Sequence, residues 1–200
     1  AASDVYKRQP INFNEVVGQD MITKTLEKAI ENNQLAQSLL FCGPRGVGKT
    51  TCARILAKKI NKFDSSNSNN HSYNIFELDA ASNNSVEDIR KINEQVRIPP
   101  QLGTHKVYII DEVHMLTVQA FNALLKTLEE PPQHVKFILA TTDVHKVPQT
   151  IISRCQRFDF LPLSNSTICD RLKFIADSDN HSIDVKSLSL IAGNSEGSLR

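Results

Sequence analysis

Gly43-Pro44-Arg45-Gly46-Val47-Gly48-Lys49-Thr50 sets a lysine and a hydroxyl behind three glycines, a pattern suited to capturing phosphate. Glycines let successive backbone N–H groups curl around an anion, and a helix that follows turns the positive end of its dipole toward it. Lys49 then supplies a point charge to the β- and γ-phosphates, and the Thr50 hydroxyl is placed to bind Mg²⁺. The candidate nucleotide-binding set is Gly43, Pro44, Arg45, Gly46, Val47, Gly48, Lys49, Thr50 and Thr51. A second group sits at Asp111-Glu112-Val-His114, directly after the apolar residues Val107 to Ile110. Asp111 is suited to hold Mg²⁺ through its water shell, and Glu112 to polarise an attacking water. His114 is expected to pack or cap locally and takes no catalytic role.

Both groups need elements to aim them. Ser38 to Cys42 is a short apolar run that reads as a buried strand, and Cys52, Ile55, Leu56 and Ile60 behind the loop have helical spacing. Further strands are expected at Asn74 to Asp79, Lys106 to Asp111, Val135 to Ala140 and Arg157 to Phe160. Helices are expected at Met21 to Asn32, from a Ser85 cap to about Ile98, and at Thr117 to Glu129, the last two closed by paired prolines. Strands alternating with helices give an α/β fold: a five-stranded, mostly parallel sheet with helices on both faces. Ligands in such folds bind beyond the carboxyl ends of the strands, so the phosphate loop and the acidic pair should face one crevice. From Leu163 the pattern turns to helices alone, Thr167 to Ala176 and Asp184 to Ile191, the start of a small all-α domain. The expected division is an N-terminal arm over 1–12, an α/β nucleotide-binding domain over 13–162 and a truncated helical domain over 163–200.

Composition removes several classes of function. Lys and Arg number 23 against 22 Asp and Glu, so no bulk charge attracts nucleic acid or an anionic membrane. No apolar run approaches a membrane span and no secretory signal opens the chain; the expected location is the cytoplasm. Cys42, Cys52, Cys155 and Cys169 lack metal-ligand spacing and read as reduced thiols. The polar stretch Asn61 to Asn74 is expected to be a surface loop. Residues 1–9 read as a foreign stub, and the stop at Arg200 as the edge of a fragment.

Four further strings follow the phosphate loop in order: Asp111-Glu-Val-His-Met-Leu116, Leu128-Glu-Glu-Pro-Pro132, Ala140-Thr-Thr-Asp143 and Ile152-Ser-Arg-Cys155. With them the chain resembles the AAA+ clamp-loader ATPases, and more narrowly the gamma/tau subunits of bacterial DNA polymerase III, from about Phe13 to Arg200. The resemblance implies roles that spacing does not. Val17, Gly18 and Gln19 match the segment that lies against adenine. Thr142 matches a sensor of the γ-phosphate, although by itself it reads as an ordinary strand-end threonine. Arg154 matches an arginine finger acting on a neighbouring subunit's ATP, although a lone arginine is ordinarily solvated or salt-bridged. Arg200 matches a second sensor, carried by the lid. Ala80 to Arg90 matches a DNA-facing helix, which leaves two readings of Arg90: a phosphate contact, or a pair with Glu87.

The implied function is an ATP-hydrolysing motor of the clamp loader, using ATP and Mg²⁺ to place a sliding clamp on primer–template DNA during replication. The implied partners are gamma/tau copies, delta and delta prime, the clamp, DNA, and the polymerase III core through a C-terminal region beyond Arg200. Two departures stand out. The family commonly carries four cysteines where this chain has its Ser/Asn stretch, so no zinc is expected. The family's Tyr-Arg-Pro arm is Tyr6-Lys-Arg-Gln-Pro10 here. The alternatives are a non-hydrolysing structural subunit and a DNA translocase or branch-migration motor.

Overall fold

The computed structural model describes residues 9–61, 74–101 and 103–199. The expected stub up to residue 8, the polar stretch at 62–73 and the sensor Arg200 lie outside the described residues.

Strands β1 (Ser38–Cys42), β2 (Ile75–Asp79), β3 (Lys106–Asp111), β4 (Val135–Thr141) and β5 (Gln156–Asp159) form one sheet. All pairings are parallel, in the order β2-β3-β4-β1-β5. The three central strands are apolar on both faces and buried almost throughout, as strands covered on two sides must be. The outer strands β2 and β5 are only partly buried.

Side chains alternate across each strand, so one apolar run serves two cores. Leu39, Phe41, Ile109 and Ile138 face helices α1 (Asp20–Glu31) and α2 (Lys49–Ile60), with Leu26, Cys52, Ile55 and Leu56 packed on them. Leu40, Ile110, Phe137 and Leu139 face the other way, toward α3 (Val86–Val96) and α4 (Val118–Glu129), meeting Ile89, Ile92, Phe121, Leu124 and Leu128. On that second face the rings of Phe76, Tyr108 and Phe137 stack across three strands, with centroids 4.9 and 5.5 Å apart. The one-turn helix α5 (Gln149–Ile152) also lies on this side.

Helix starts follow local capping chemistry. Ser85 opens α3 with a reciprocal capping box to Asp88, and Thr117 accepts the Ala120 N–H to open α4. Expected bounds move by one to three residues: Thr117 and Asp184 are caps rather than first helical residues, and the last helix runs on past Ile191 to Asn194. The chain ends in helices α6 (Asn165–Ser178) and α7 (Val185–Asn194), which share a small core of Leu163, Ile168 and Ala192.

After β1 the chain crosses to the α2 face, whereas after β3 and β4 it crosses to the α4 and α5 face. The crossover direction therefore changes between the neighbouring strands β1 and β4, which opens a crevice at their carboxyl ends.

Candidate active site

Strand register brings the crevice residues level with one another. Cys42 pairs with Thr141, and Ile110 with Leu139, so β1, β4 and β3 end side by side. The Gly43 N–H donates to the Thr141 carbonyl at 3.2 Å, tying the start of the phosphate loop to β4. Gly43 has φ 145°, and a Cβ there would stand 2.4 Å from the Phe160 carbonyl oxygen. Only glycine fits this close backbone approach.

Lys49 opens α2 and is buried, 6% exposed. Its ammonium donates to the Gly43 and Pro44 carbonyls, each at 2.7 Å, so the loop is wrapped around its own lysine. Burial holds its pKa below the ordinary lysine value, with Glu112 and then Asp111 pulling it back up. The Thr50 hydroxyl donates to Asp111 Oδ2 at 2.7 Å across the crevice. One hydroxyl and one carboxylate make an all-oxygen donor set that fits Mg²⁺ shared with phosphate oxygens. Among the described residues no cluster of three or more His, Cys, Asp or Glu could hold a metal unaided.

Glu112 lies beyond the end of β3 with φ 48° and ψ 43°, in the left-handed region. Such a conformation costs about 1–3 kcal/mol in a non-glycine residue and persists only where surrounding contacts hold it. Thr142 Oγ1 donates to Glu112 Oε2 at 2.9 Å, and His114 Nδ1 lies 3.5 Å from the same oxygen. His114 Nδ1 also stands 3.0 Å from Thr141 Oγ1, which in turn accepts the Asp143 N–H. Thus Lys49, Thr50, Asp111, Glu112 and Thr142 meet in one crevice.

The remaining candidates lie around its rim. Pro44 and Arg45 are exposed, Val47 is buried, and Thr51 is half-buried in the first turn of α2. Gln19 is 4% exposed, and its amide is spent on backbone: it donates to Leu161 O at 2.8 Å and Val47 O at 3.4 Å and accepts the Leu161 N–H. Gly18 lies against Leu163, and Val17 is half-buried beside it. These three residues therefore join the phosphate loop to the start of the helical segment.

Arg154 stands apart at the surface, beyond α5. Its guanidinium donates to Thr150 O at 2.6 Å and to Glu129 Oε1 at 2.7 Å, with a third of the side chain exposed. Arg90 is exposed on α3, and no ion pair joins it to Glu87 among the described residues. Leu199, the last described residue, donates its N–H to Gly46 O at 3.0 Å, and Leu163 donates to Gly197 O. The end of the helical segment thus returns to the phosphate loop.

Residue types alone did not reveal Thr141, the Gln19 amide or the Glu129 grip on Arg154. The only local signal was Thr141-Thr142, two hydroxyls in succession at a strand end, whose alternation sends them to different partners.

Burial pushes the Cys52 and Cys155 thiols up to about 12, and it raises Cys42 as well against the pull of Arg157, so these are unreactive thiols. No helix among the described residues is long and apolar enough to cross a membrane.

Comparison with known proteins bears on this geometry. Residues 18–164 match the family described as DNA polymerase III, delta subunit. The chain is 47% identical over 205 residues to DNA polymerase III subunit tau of Bacillus subtilis, covering 96% of this chain and 36% of that protein. It is 42% identical over 207 residues to DNA polymerase III subunit gamma of Buchnera aphidicola, covering 97% of this chain and 56% of that one. It therefore spans between about a third and a little over half the length of these relatives. In structure it resembles the Thermotoga maritima RuvB Holliday junction branch migration motor, with TM-score 0.73 and 22% identity, covering 96% of this chain and 61% of that one. That likeness is one of fold: a five-stranded parallel sheet flanked by helices.

Proposed function

The chain belongs to the DNA polymerase III gamma/tau family, and from that membership we propose that it is the ATP-binding and ATP-hydrolysing motor of the clamp loader. In this reading residues 13–162 are the ATPase domain and the residues from 163 on are its helical lid. The observation that carries it is the meeting of Lys49, the Thr50–Asp111 pair and the Glu112–Thr142 pair at the ends of three adjacent strands.

The triphosphate sits on the N–H groups of Arg45 to Thr51 at the N-terminus of α2. Lys49 exchanges its loop carbonyls for phosphate oxygens, and Val17 to Gln19 bound the adenine side. Mg²⁺, when bound by Thr50 and Asp111, neutralises charge on the β- and γ-phosphates. Glu112 draws a proton from water as its oxygen attacks the γ-phosphorus. The bond to the β–γ bridging oxygen breaks, leaving ADP and inorganic phosphate. Thr142 orients the water or senses the γ-phosphate, and Arg200 reaches the same phosphate from the lid. Arg154, held at the surface, stabilises transition-state charge at a neighbouring copy's site, which implies a head-to-tail assembly.

That assembly comprises gamma/tau copies with delta and delta prime, working in the bacterial cytoplasm. It opens the sliding clamp and tracks primer–template DNA, with Arg90 as a phosphate contact, and serves the polymerase core. Loss of the γ-phosphate releases the clamp.

The test is the ATPase rate of the assembled complex with clamp and primed DNA, added singly and together. Stimulation that needs both supports a loader. Stimulation by DNA alone points to a translocase. Nucleotide binding without turnover under any of these conditions points to a structural subunit.

A further inference from the structure

Glu112 is anchored through one of its two carboxylate oxygens. The Thr142 hydroxyl and the His114 ring both converge on Oε2, and no hydrogen bond falls on Oε1 among the described residues. His114 is well placed to hold something still. Only a tenth of its side chain is exposed, and Nδ1 is 3.0 Å from the hydroxyl of Thr141, which is fully buried. Thr141 is itself fixed on two sides: its hydroxyl accepts the Asp143 N–H, and its carbonyl accepts the Gly43 N–H. The ring is thus braced against both the phosphate loop and the turn after β4.

A carboxylate only accepts hydrogen bonds, so Nδ1 meets Glu112 favourably only when it carries the proton. With that proton in place Nδ1 lies 3.0 Å from Thr141 Oγ1, its hydrogen-bond partner, and 3.5 Å from Glu112 Oε2, a longer charge contact. The left-handed backbone of Glu112 persists only where surrounding contacts hold it, and these are among them. We propose that His114 is a positioning residue for Glu112: with Thr142 it pins Oε2, leaving Oε1 to take the proton of the attacking water. This rests on Glu112 being the base, as argued under Proposed function.

The test uses the full-length chain in the complete loader with clamp and primed DNA, carrying His114→Asn, His114→Gln or His114→Ala. The asparagine amide reaches the place of Nδ1, whereas the glutamine amide reaches that of Nε2. Alanine and glutamine should lower kcat by about a hundredfold, because misplacing a reacting group by roughly an ångström has that effect. Asparagine should stay within about fivefold of the parent, and the KM for ATP and the affinity for a fluorescent ATP analogue within about twofold throughout. An unchanged kcat for His114→Ala overturns the proposal. So does glutamine serving as well as asparagine, or nucleotide affinity falling in step with kcat. The contrast between asparagine and glutamine decides even if the alanine variant folds poorly. Glu112→Gln run alongside separates the two claims. If it abolishes turnover while His114→Ala does not, only the positioning role falls. If it turns over normally, the base assignment falls and the positioning role with it.

Discussion

The sheet and the helical segment after it are built on different principles. In the sheet, three central strands bury nearly every side chain, and each serves two cores. In the helical segment Leu163, Ile168, Ala176, Leu188 and Ala192 are buried, while Phe174, Val185 and Leu190 are more than half exposed. The crevice residues are held by side-chain bonds between strand ends, whereas the helical segment reaches the crevice through single backbone bonds such as Leu199 N–H to Gly46 O. Regions with few buried apolar contacts open at lower free energy than dense cores. The crevice thus belongs to the more densely packed part, and the helical segment, proposed above as a lid, is the part suited to move.

The sharpest way to break this division is through Arg154, which belongs to the sheet domain but is proposed to act outside it. Arg154→Ala should lower turnover of the assembled complex by about a thousandfold. Equilibrium titration of the same subunit should show unchanged nucleotide affinity, because its guanidinium is held by Thr150 O and Glu129 and not by the phosphate loop. An unchanged rate would remove the trans assignment.

Stability measurements should sharpen the contrast in descending steps. Leu40→Ala, in the fully buried centre of β1, should cost about 2–5 kcal/mol in urea unfolding. Gly197→Ala should cost about 1–3 kcal/mol, because it forces a side chain into a left-handed backbone. Gly197 has φ 79°, and its Cβ would meet Pro162. The effect should appear as loosening of residues 163–199 in hydrogen exchange, with the sheet amides unchanged. Asn93→Ala removes a side chain bonded to both Ala123 O and Thr127 between α3 and α4, and should cost about 1 kcal/mol. Leu190→Ala should fall within about 0.5 kcal/mol, since its side chain already faces solvent. Equal losses for Leu40 and Leu190 would erase the distinction between the two regions.

The parts of the site legible in the sequence were those in which chemistry and position lie within a few residues. Gly43 to Thr50 encodes its own turn and helix start, and the apolar run before Asp111 announces a strand end. Strand alternation and the right register then bring the two together. Thr142, Arg154 and Arg200 carry no such local signature and came only from resemblance. Contacts between distant segments had no sequence trace at all. The Gln19 amide bonds to Leu161, 142 residues away, so a residue expected to border adenine also ties the phosphate loop to the exit of β5. Helix α5 and the 3-10 turns are too short for periodicity to register.

The phosphate loop is stapled from two directions. Gly43 is tied to β4, Gly46 to Leu199 at the end of the helical segment, and Val47 to Gln19, whose amide also grips Leu161 just before that segment. If the helical segment is the lid proposed above, its seating and the shape of the loop are linked equilibria. By reciprocity, a ligand that favours the stapled loop must draw the helices down by the same free energy with which seated helices tighten that ligand. Under the proposed function, affinity for nucleotide is then a gauge of lid position, readable without observing the lid.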